Sequence, residues 1–593
     1  MYFASTGAVL ELAGVAVDAH LLELWRARVT RARDWLGWPQ AAIVARVHVS
    51  GASLAIEAPC DVLFTATELN EWALAATVAE LEPARWPDLV AALLAAALEN
   101  ATDPANVIAP VLESDAARER LRRLATAESR PALAALLTVA GTLQRVLDEE
   151  LLTLGSGRGG ADWPLAALPQ PGEVPWSHLY SVPTAVVTGS NGKTTTVRLL
   201  AACARAADLT PGYNSTDGVT IGVESVASGD YAGPAGARLV LRDRRTEMAL
   251  IETARGGILR RGFALTVADV AVVTNISADH FGEYGIHDLA GLADVKLSVA
   301  RLLGGASGRE GLLVLNADDA CLAARAPAGP ALGWFALDAD HPRLVAHRAA
   351  GGATAGVRDG ELWLAHGGQQ TSLGRVAQMP LTVAGSATYN VANLAAAALA
   401  ATGLGLAPTL IAAVFARFGA EQSDNPGRLM RFDVGGVQVL VDYAHNPEGL
   451  RGLLTVAEHL RAGRGRLGVL LGHAGNRQDE DLRALAGTAA EFHPALVVVK
   501  ENEAHLRGRA LGEIPRLLRA ELKRLGLPDA MLPMCTSELD AARCALSWAR
   551  PGDVLAMPVH AAPARESVLA MLRLEIRAAA RRARLEPGGL SRR

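Results

Sequence analysis

The segment Thr188–Thr196 reads TGSNGKTTT and holds the residue types that phosphate binding requires. Gly189 and Gly192 let the backbone wrap closely around phosphate oxygens. Ser190 and Asn191 between them present further backbone N–H groups to an anion. The run Val197–Ala207 that follows predicts a helix, whose N-terminus adds positive potential at the loop. Lys193 is placed to reach the β- and γ-phosphates, and the Thr194 hydroxyl, with Thr195 beside it, to meet Mg²⁺. The usual pattern, GxxxxGK[ST], has Gly five positions before Gly192. Val187 stands there, so the loop is a variant.

Lys193 carries extra weight because lysine is scarce. Of 57 cationic residues only four are lysines, Lys193, Lys296, Lys500 and Lys523, and 53 are Arg. Where any positive charge suffices, this chain carries Arg. A retained Lys is a candidate for work that guanidinium cannot do, as a compact point charge or a deprotonatable amine.

Other chemically equipped segments follow in order. Glu252 ends a predicted strand in ETARGGILRRG, and Asn275–His280 reads NISADH at another strand end. Lys296 lies 16 residues beyond His280, Gly385–Asn393 is GSATYNVAN, Pro426–Gly427–Arg428 opens the last third, and Asp442–Pro447 is DYAHNP. With the G-[TS]-N-G-K-T-T form of the loop, this series resembles the Mur ligase superfamily, ATP-dependent amide-bond ligases. Within it, Ser215–Gly218 (STDG), Arg238–Asp243 (RLVLRD), Glu252–Arg260, Asp424–Leu429 (DNPGRL), Val441–Leu450 and Leu506–Glu513 (LRGRALGE) are similar to the ligase region of cyanophycin synthetase. The resemblance spans about residues 180–560.

The resemblance implies ATP and Mg²⁺ as cofactors, and roles for particular residues. Glu252 and His280 match metal ligands, with Thr194. Lys296 matches a lysine carbamylated in many members, which would make it a further metal ligand. Asn390 and Asn393 match contacts to adenine, although Tyr389 stands where the family usually has His. Arg428, Asp442 and His445 match nucleotide contacts from the last domain. Lys193, Glu252, His280 and Lys296 form the expected catalytic set. Thr216, Asp217, Arg255, Arg260 and Arg477 are expected to contact substrate. Asp479, Glu480 and Asp481 either bind a cationic side chain of the incoming amino acid or are simply acids in a helix's first turn. The expected reaction joins the amine of a basic amino acid, most simply Arg, to a side-chain carboxylate of an acidic peptide or polymer. The alternatives are a different small-molecule or peptide acceptor, or a nucleotide-binding pseudoligase or scaffold. Cyanophycin synthetase also carries an ATP-grasp domain, for which the roughly 180 residues before the loop leave no room, so a separate ATP-grasp partner protein is expected.

Three domains would position these residues. Residues 1–165 read as an α+β domain of docking or polymer-binding character, with strands over Ala42–Val49 and Ser53–Ala58 and helical periodicity from Asp115 to Leu152. GSGRGG at 155–160 and the prolines that follow read as a linker. Residues 166–425 alternate strand and helix, as a P-loop ATPase domain with a parallel sheet does, with a small antiparallel insertion at 340–380. Residues 426–593 read as a Rossmann-like domain, so the fold class is α/β.

A net charge of −5 argues against a generally basic nucleic-acid binder. No long uninterrupted apolar run predicts a membrane span. The N-terminus lacks a signal-peptide pattern, and five scattered cysteines suit reduced, mostly buried thiols of a cytoplasmic protein. A homo-oligomer is compatible with the sequence.

Overall fold

The computed structural model describes the chain except residues 1–5, 14–16, 49–50, 82–112, 279–280, 282–285, 305–309, 462, 464, 476, 503–505 and 586–593. The N-terminal sheet has the order β1 (Gly7–Ala13), β3 (Gly51–Glu57), β2 (Ile43–His48), all antiparallel. Helices Ala19–Trp35 and Leu63–Glu80 join it in a core that includes Trp25, Leu54, Ile56 and Trp72. Asn70 bridges this core: it accepts from the Trp25 indole at 3.0 Å and donates to Leu54 O at 2.9 Å. The helical periodicity expected from Asp115 to Leu152 ends early. Helices Ser114–Glu128 and Pro131–Ala140 are followed by β4 (Arg145–Leu147) and β5 (Leu151–Leu154).

β4, β5 and β6 (Ala161–Pro164) form a small sheet fastened to the central domain. Arg242 pairs with Asp148 and donates to Thr153, and Gln144 accepts from Val267 N–H. The linker reading of GSGRGG is therefore corrected. The segment is mostly buried, and a Cβ on Gly157 would lie 2.3 Å from Thr246 O, so this glycine serves close approach, not flexibility.

The central sheet has eleven strands in the order β10–β9–β8–β11–β7–β12–β13–β14–β15–β16–β17. These are β7 (Thr184–Thr188), β8 (Pro211–Ser215), β9 (Gly218–Ile221), β10 (Glu224–Ser228), β11 (Met248–Glu252) and β12 (Val270–Val273). They continue with β13 (Leu312–Asn316), β14 (Ala331–Asp338), β15 (Ala353–Arg358), β16 (Glu361–His366) and β17 (Gln369–Arg375). β8 through β15 in that order are parallel. β7, β11 and β12 are buried along their whole length, which is why they read as unbroken apolar runs. The insertion expected at 340–380 is no separate unit: β16 and β17 add antiparallel strands to the far edge of this sheet. The Ala-rich helix Thr388–Gly403 shares its core with helix Lys193–Ala206.

The C-terminal sheet runs β18 (Met430–Val434), β19 (Val437–Asp442), β23 (Val554–Pro558), β20 (Leu467–Leu471), β21 (Leu496–Lys500), β22 (Met534–Cys535), parallel except for β18. Among the described residues no helix is long and apolar enough to cross a membrane. All five cysteines are free, but only Cys203 is buried.

Candidate active site

β7 has β11 on one side and β12 on the other, and the chain leaves it toward β8 on one flank and returns to β13 on the other. Such a switch point opens a crevice beyond the carboxyl ends of the strands. The phosphate loop sits there, and the C-terminal domain faces it across a cavity of about 1250 Å³.

The loop is held by neighbouring strand ends. Ser190 N–H donates to Asn275 O at 2.9 Å, and Asn191 N–H to Asn275 Oδ1 at 2.9 Å. The Ser190 hydroxyl donates to Ser277 O and accepts from Ser277 N–H. Gly192 has φ +87°, and a Cβ there would lie 2.1 Å from Asn393 Oδ1. Lys193 donates to Gly189 O and Ser190 O, both at 3.1 Å, and buried Lys296 donates to Gly189 O at 2.7 Å. Two side-chain nitrogens thus converge on one loop carbonyl.

Glu252, at the end of β11, is fully buried. Its Oε2 accepts from the Thr194 hydroxyl at 2.8 Å, and its Oε1 has no partner among the described residues. Burial pushes its pKa up against the pull of Lys193 and Thr194. A buried, unsatisfied carboxylate oxygen beside a hydroxyl is a hard-oxygen donor set of the kind Mg²⁺ takes. His280 lies outside the described residues. So does the side chain of Arg260, whose backbone belongs to helix Arg255–Arg261. Among the described residues no three His, Cys, Asp or Glu side chains cluster as a metal site.

Buried Asn390 donates to Leu381 O at 3.0 Å and accepts from Asn393 Nδ2 at 3.1 Å, and both asparagines line the cavity. Thr195 accepts from Asn425 at 3.2 Å. Arg428 lies over the Tyr443 ring at 4.4 Å and donates to Thr216 at 2.9 Å and Thr194 at 3.4 Å. Asp442 accepts from Leu429 N–H at 2.6 Å and Ala444 N–H at 2.7 Å, while burial raises its pKa against Arg428 and these donors. His445, Arg255 and Arg477 line the same cavity.

Two expectations meet a different arrangement. Asp217 lines the cavity, but its carboxylate is engaged by Arg198 at 2.8 Å and Arg565 at 2.5 Å, with Arg428 at 3.7 Å. Asp479, Glu480 and Asp481 do not line the cavity; they form the first turn of helix Asp479–Glu491. Asp479 pairs with Arg509 at 2.8 Å, and Glu480 with Arg483 at 3.6 Å. The second of the two readings, acids favoured at a helix N-terminus, accounts for their place. Residues not singled out from the sequence also reach the site: Arg198, Arg261, Asn446, His473, Asn502, Arg507, His560 and Arg565. Of these, Asn446 (in DYAHNP), Arg261 (in ETARGGILRRG) and Arg507 (in LRGRALGE) lie inside segments that the sequence marks, without being singled out there.

The Mur ligase middle domain matches residues 187–401, and the Mur ligase, glutamate ligase domain matches 427–557. The chain carries the middle and C-terminal domains of the Mur ligase family. The phosphate loop and Glu252 fall in the Mur ligase middle domain, and Asp442, His445 and Arg477 in the second. Cyanophycin synthetase of Trichormus variabilis is 37% identical over 369 residues, 62% of this chain and 40% of that protein. UDP-N-acetylmuramoyl-L-alanyl-D-glutamate--2,6-diaminopimelate ligase of Xanthomonas campestris pv. campestris is 32% identical over 329 residues, 53% of this chain and 61% of that protein. The chain thus spans about 40% of the cyanophycin synthetase it matches. E. coli FolC in complex with DHPP and ADP aligns with 67% of this chain and 89% of its own, at 18% identity and a TM-score of 0.46.

Proposed function

We propose that this protein is an ATP- and Mg²⁺-dependent ligase that activates a carboxylate as an acyl phosphate and joins it to an amino acid amine. The observation that carries this reading is the meeting of the phosphate loop, Lys193 and buried Glu252 with Arg428, Asp442 and His445 across one cavity. Mg²⁺ would be held by Glu252 and Thr194, with His280 and a carbamylated Lys296 as further ligands. When bound, it would neutralise phosphate charge. Lys193 and the loop N–H groups orient the nucleotide phosphates. Arg428 supplies a cation from the opposite domain, so that closing the domains brings charge to the transferring group. Displacement of phosphate by the amine completes the amide, and a site closed against water protects the acyl phosphate from hydrolysis.

The acceptor we infer is a side-chain carboxylate of an acidic, cyanophycin-like peptide, and the donor Arg or another basic amino acid. Arg255, Arg261, Arg477 and Arg507 on the cavity wall suit a carboxylate-rich acceptor. The similarity to cyanophycin synthetase supports the same reading, with a separate ATP-grasp protein making the backbone. Five unpaired cysteines suit a cytoplasmic setting.

The test is phosphate release from ATP and Mg²⁺ with a panel of acidic peptides and amino acids. Release that requires both an acidic peptide and Arg is expected. Release with another amine would remove the Arg assignment. ATP binding with no release under any condition would favour a pseudoligase.

A further inference from the structure

Lys500 ends β21 with no exposed surface and pairs with Glu538, the first residue of helix Glu538–Trp548. A buried ion pair persists only where hydrogen bonds satisfy its remaining atoms. Glu538 receives them from the segment after β23: His560 N–H donates to Oε1 at 3.0 Å and Ala561 N–H to Oε2 at 2.9 Å. Burial alone would raise the Glu538 carboxyl, but the Lys500 ammonium, with the His560 N–H, outweighs it and holds it at about 2. The charged pair therefore anchors the backbone at His560.

The His560 side chain reaches toward the loop after β19. Its Nε2 is 3.0 Å from Ala444 O, the acceptor that places its proton on that nitrogen. His473, from the end of β20, does the same one residue further on. Its Nδ1 accepts from Ala474 N–H at 2.7 Å, so Nε2 carries the proton and donates to His445 O at 2.5 Å. Burial keeps both imidazoles neutral, His560 at about 3. The rings of His473 and His560 are 6.0 Å apart, and Tyr443 meets His560 edge-on at 5.6 Å. Two consecutive carbonyls are thus held from two other strand ends. The next residue, Asn446, donates to Asn191 Oδ1 in the phosphate loop at 3.1 Å.

We propose that His560 and His473 are positioning residues of the nucleotide site: their Nε2–H donors hold residues 443–446 so that Asn446 meets Asn191, and the Lys500–Glu538 pair anchors His560. ATP binding reports on these contacts whether or not the protein is a ligase.

The experiment titrates Mg·ATP into the full chain and its variants, with thermal melting in parallel. His560→Leu keeps bulk and removes the donor, and is expected to weaken ATP binding about tenfold. His560→Gln restores an N–H near Nε2 and should return affinity to within about threefold of wild type. On an Asn446→Ala background, His560→Leu should add about twofold or less, because both act through one contact. His473→Leu and His473→Gln repeat the comparison if a His560 variant fails to fold. Wild-type affinity in both Leu variants, with only the melting temperature lowered, would overturn the proposal. So would full multiplication of the His560→Leu and Asn446→Ala effects. ATP binding that follows the expected pattern, with no phosphate release by wild type, would remove the ligase reading alone.

Discussion

Asp217 is expected to control how the central and C-terminal domains hold together. It lies in the turn between β8 and β9. Arg198 belongs to the helix after the phosphate loop, Arg428 follows the domain connection, and Arg565 lies in helix Ala562–Leu585. Arg198 also donates to Asn425 Oδ1 at 3.1 Å and Pro426 O at 2.8 Å in that connection. The four side chains are 7–19% exposed, so water screens them little. Removing one partner from a buried pair costs about 3–5 kcal/mol, mostly through the charge left behind. Asp217→Asn keeps one acceptor oxygen for Arg198 or Arg565, so the loss should be about 3 kcal/mol, and for Asp217→Ala about 5 kcal/mol. Urea unfolding measures the loss, and small-angle scattering should show a larger radius of gyration as the domains part. Burial raises the Asp217 carboxyl, but Arg428, Arg198 and Arg565 outweigh it, leaving it below its ordinary 3.8. The unfolded chain therefore takes up this proton first as pH falls. The contribution is complete above 3.8 and is lost as pH drops through the lower folded value. Below pH 4 the stability of Asp217→Asn should accordingly fall less steeply than that of wild type. Both variants within about 0.5 kcal/mol of wild type, with an unchanged radius of gyration, would refute this account.

Four further outcomes are expected. Lys193→Arg preserves charge but replaces a compact amine with a broad guanidinium, and substrate-dependent phosphate release should vanish; retained release would contradict the phosphate-loop assignment. Burial raises the Glu252 carboxyl above its ordinary 4.5, so its ionised form opposes folding increasingly as pH rises through that window. Glu252→Gln at pH 7 in Mg²⁺-free buffer should melt no lower than wild type, yet lose about 100-fold or more in turnover; a lower melting temperature would disprove the burial argument. Gly192→Ala should cost about 1–2 kcal/mol from its left-handed backbone alone and weaken ATP binding as the new methyl displaces Asn393; denaturant unfolding and ATP titration check both. Glu480→Ala removes an acid that is 81% exposed, and should leave the KM for the amine within about twofold.

The elements that carry the site were legible because their signals are local. The strand expected to end at Glu252 is β11 (Met248–Glu252), and the helix expected over Val197–Ala207 overlaps helix Lys193–Ala206. GSGRGG misled because glycine marks a flexible linker and a close backbone contact with the same letters; only the approach to Thr246 O distinguishes them. The helical reading past Ala140 failed because Leu143, Val146 and Leu152 keep an apolar rhythm that antiparallel strands also accept.

Lysine scarcity pointed to Lys193 and Lys296, whose side-chain nitrogens meet at Gly189 O, whereas the partner of Lys500, Glu538, is 38 residues away in the chain and is brought to it only by the fold. Glycine and lysine spacing mark the phosphate loop, and an apolar run marks the strand that ends at Glu252, because these are properties of neighbouring residues; Asp442 was implied by the resemblance to Mur ligases. Tertiary structure alone decided which acids stay available. Asp479 is taken up by Arg509 and Asp217 by Arg198 and Arg565, the last 348 residues away in the chain, while Glu252 keeps one oxygen without a partner among the described residues. Charge pairing and desolvation depend on distance through space, and no spacing along the chain encodes that distance.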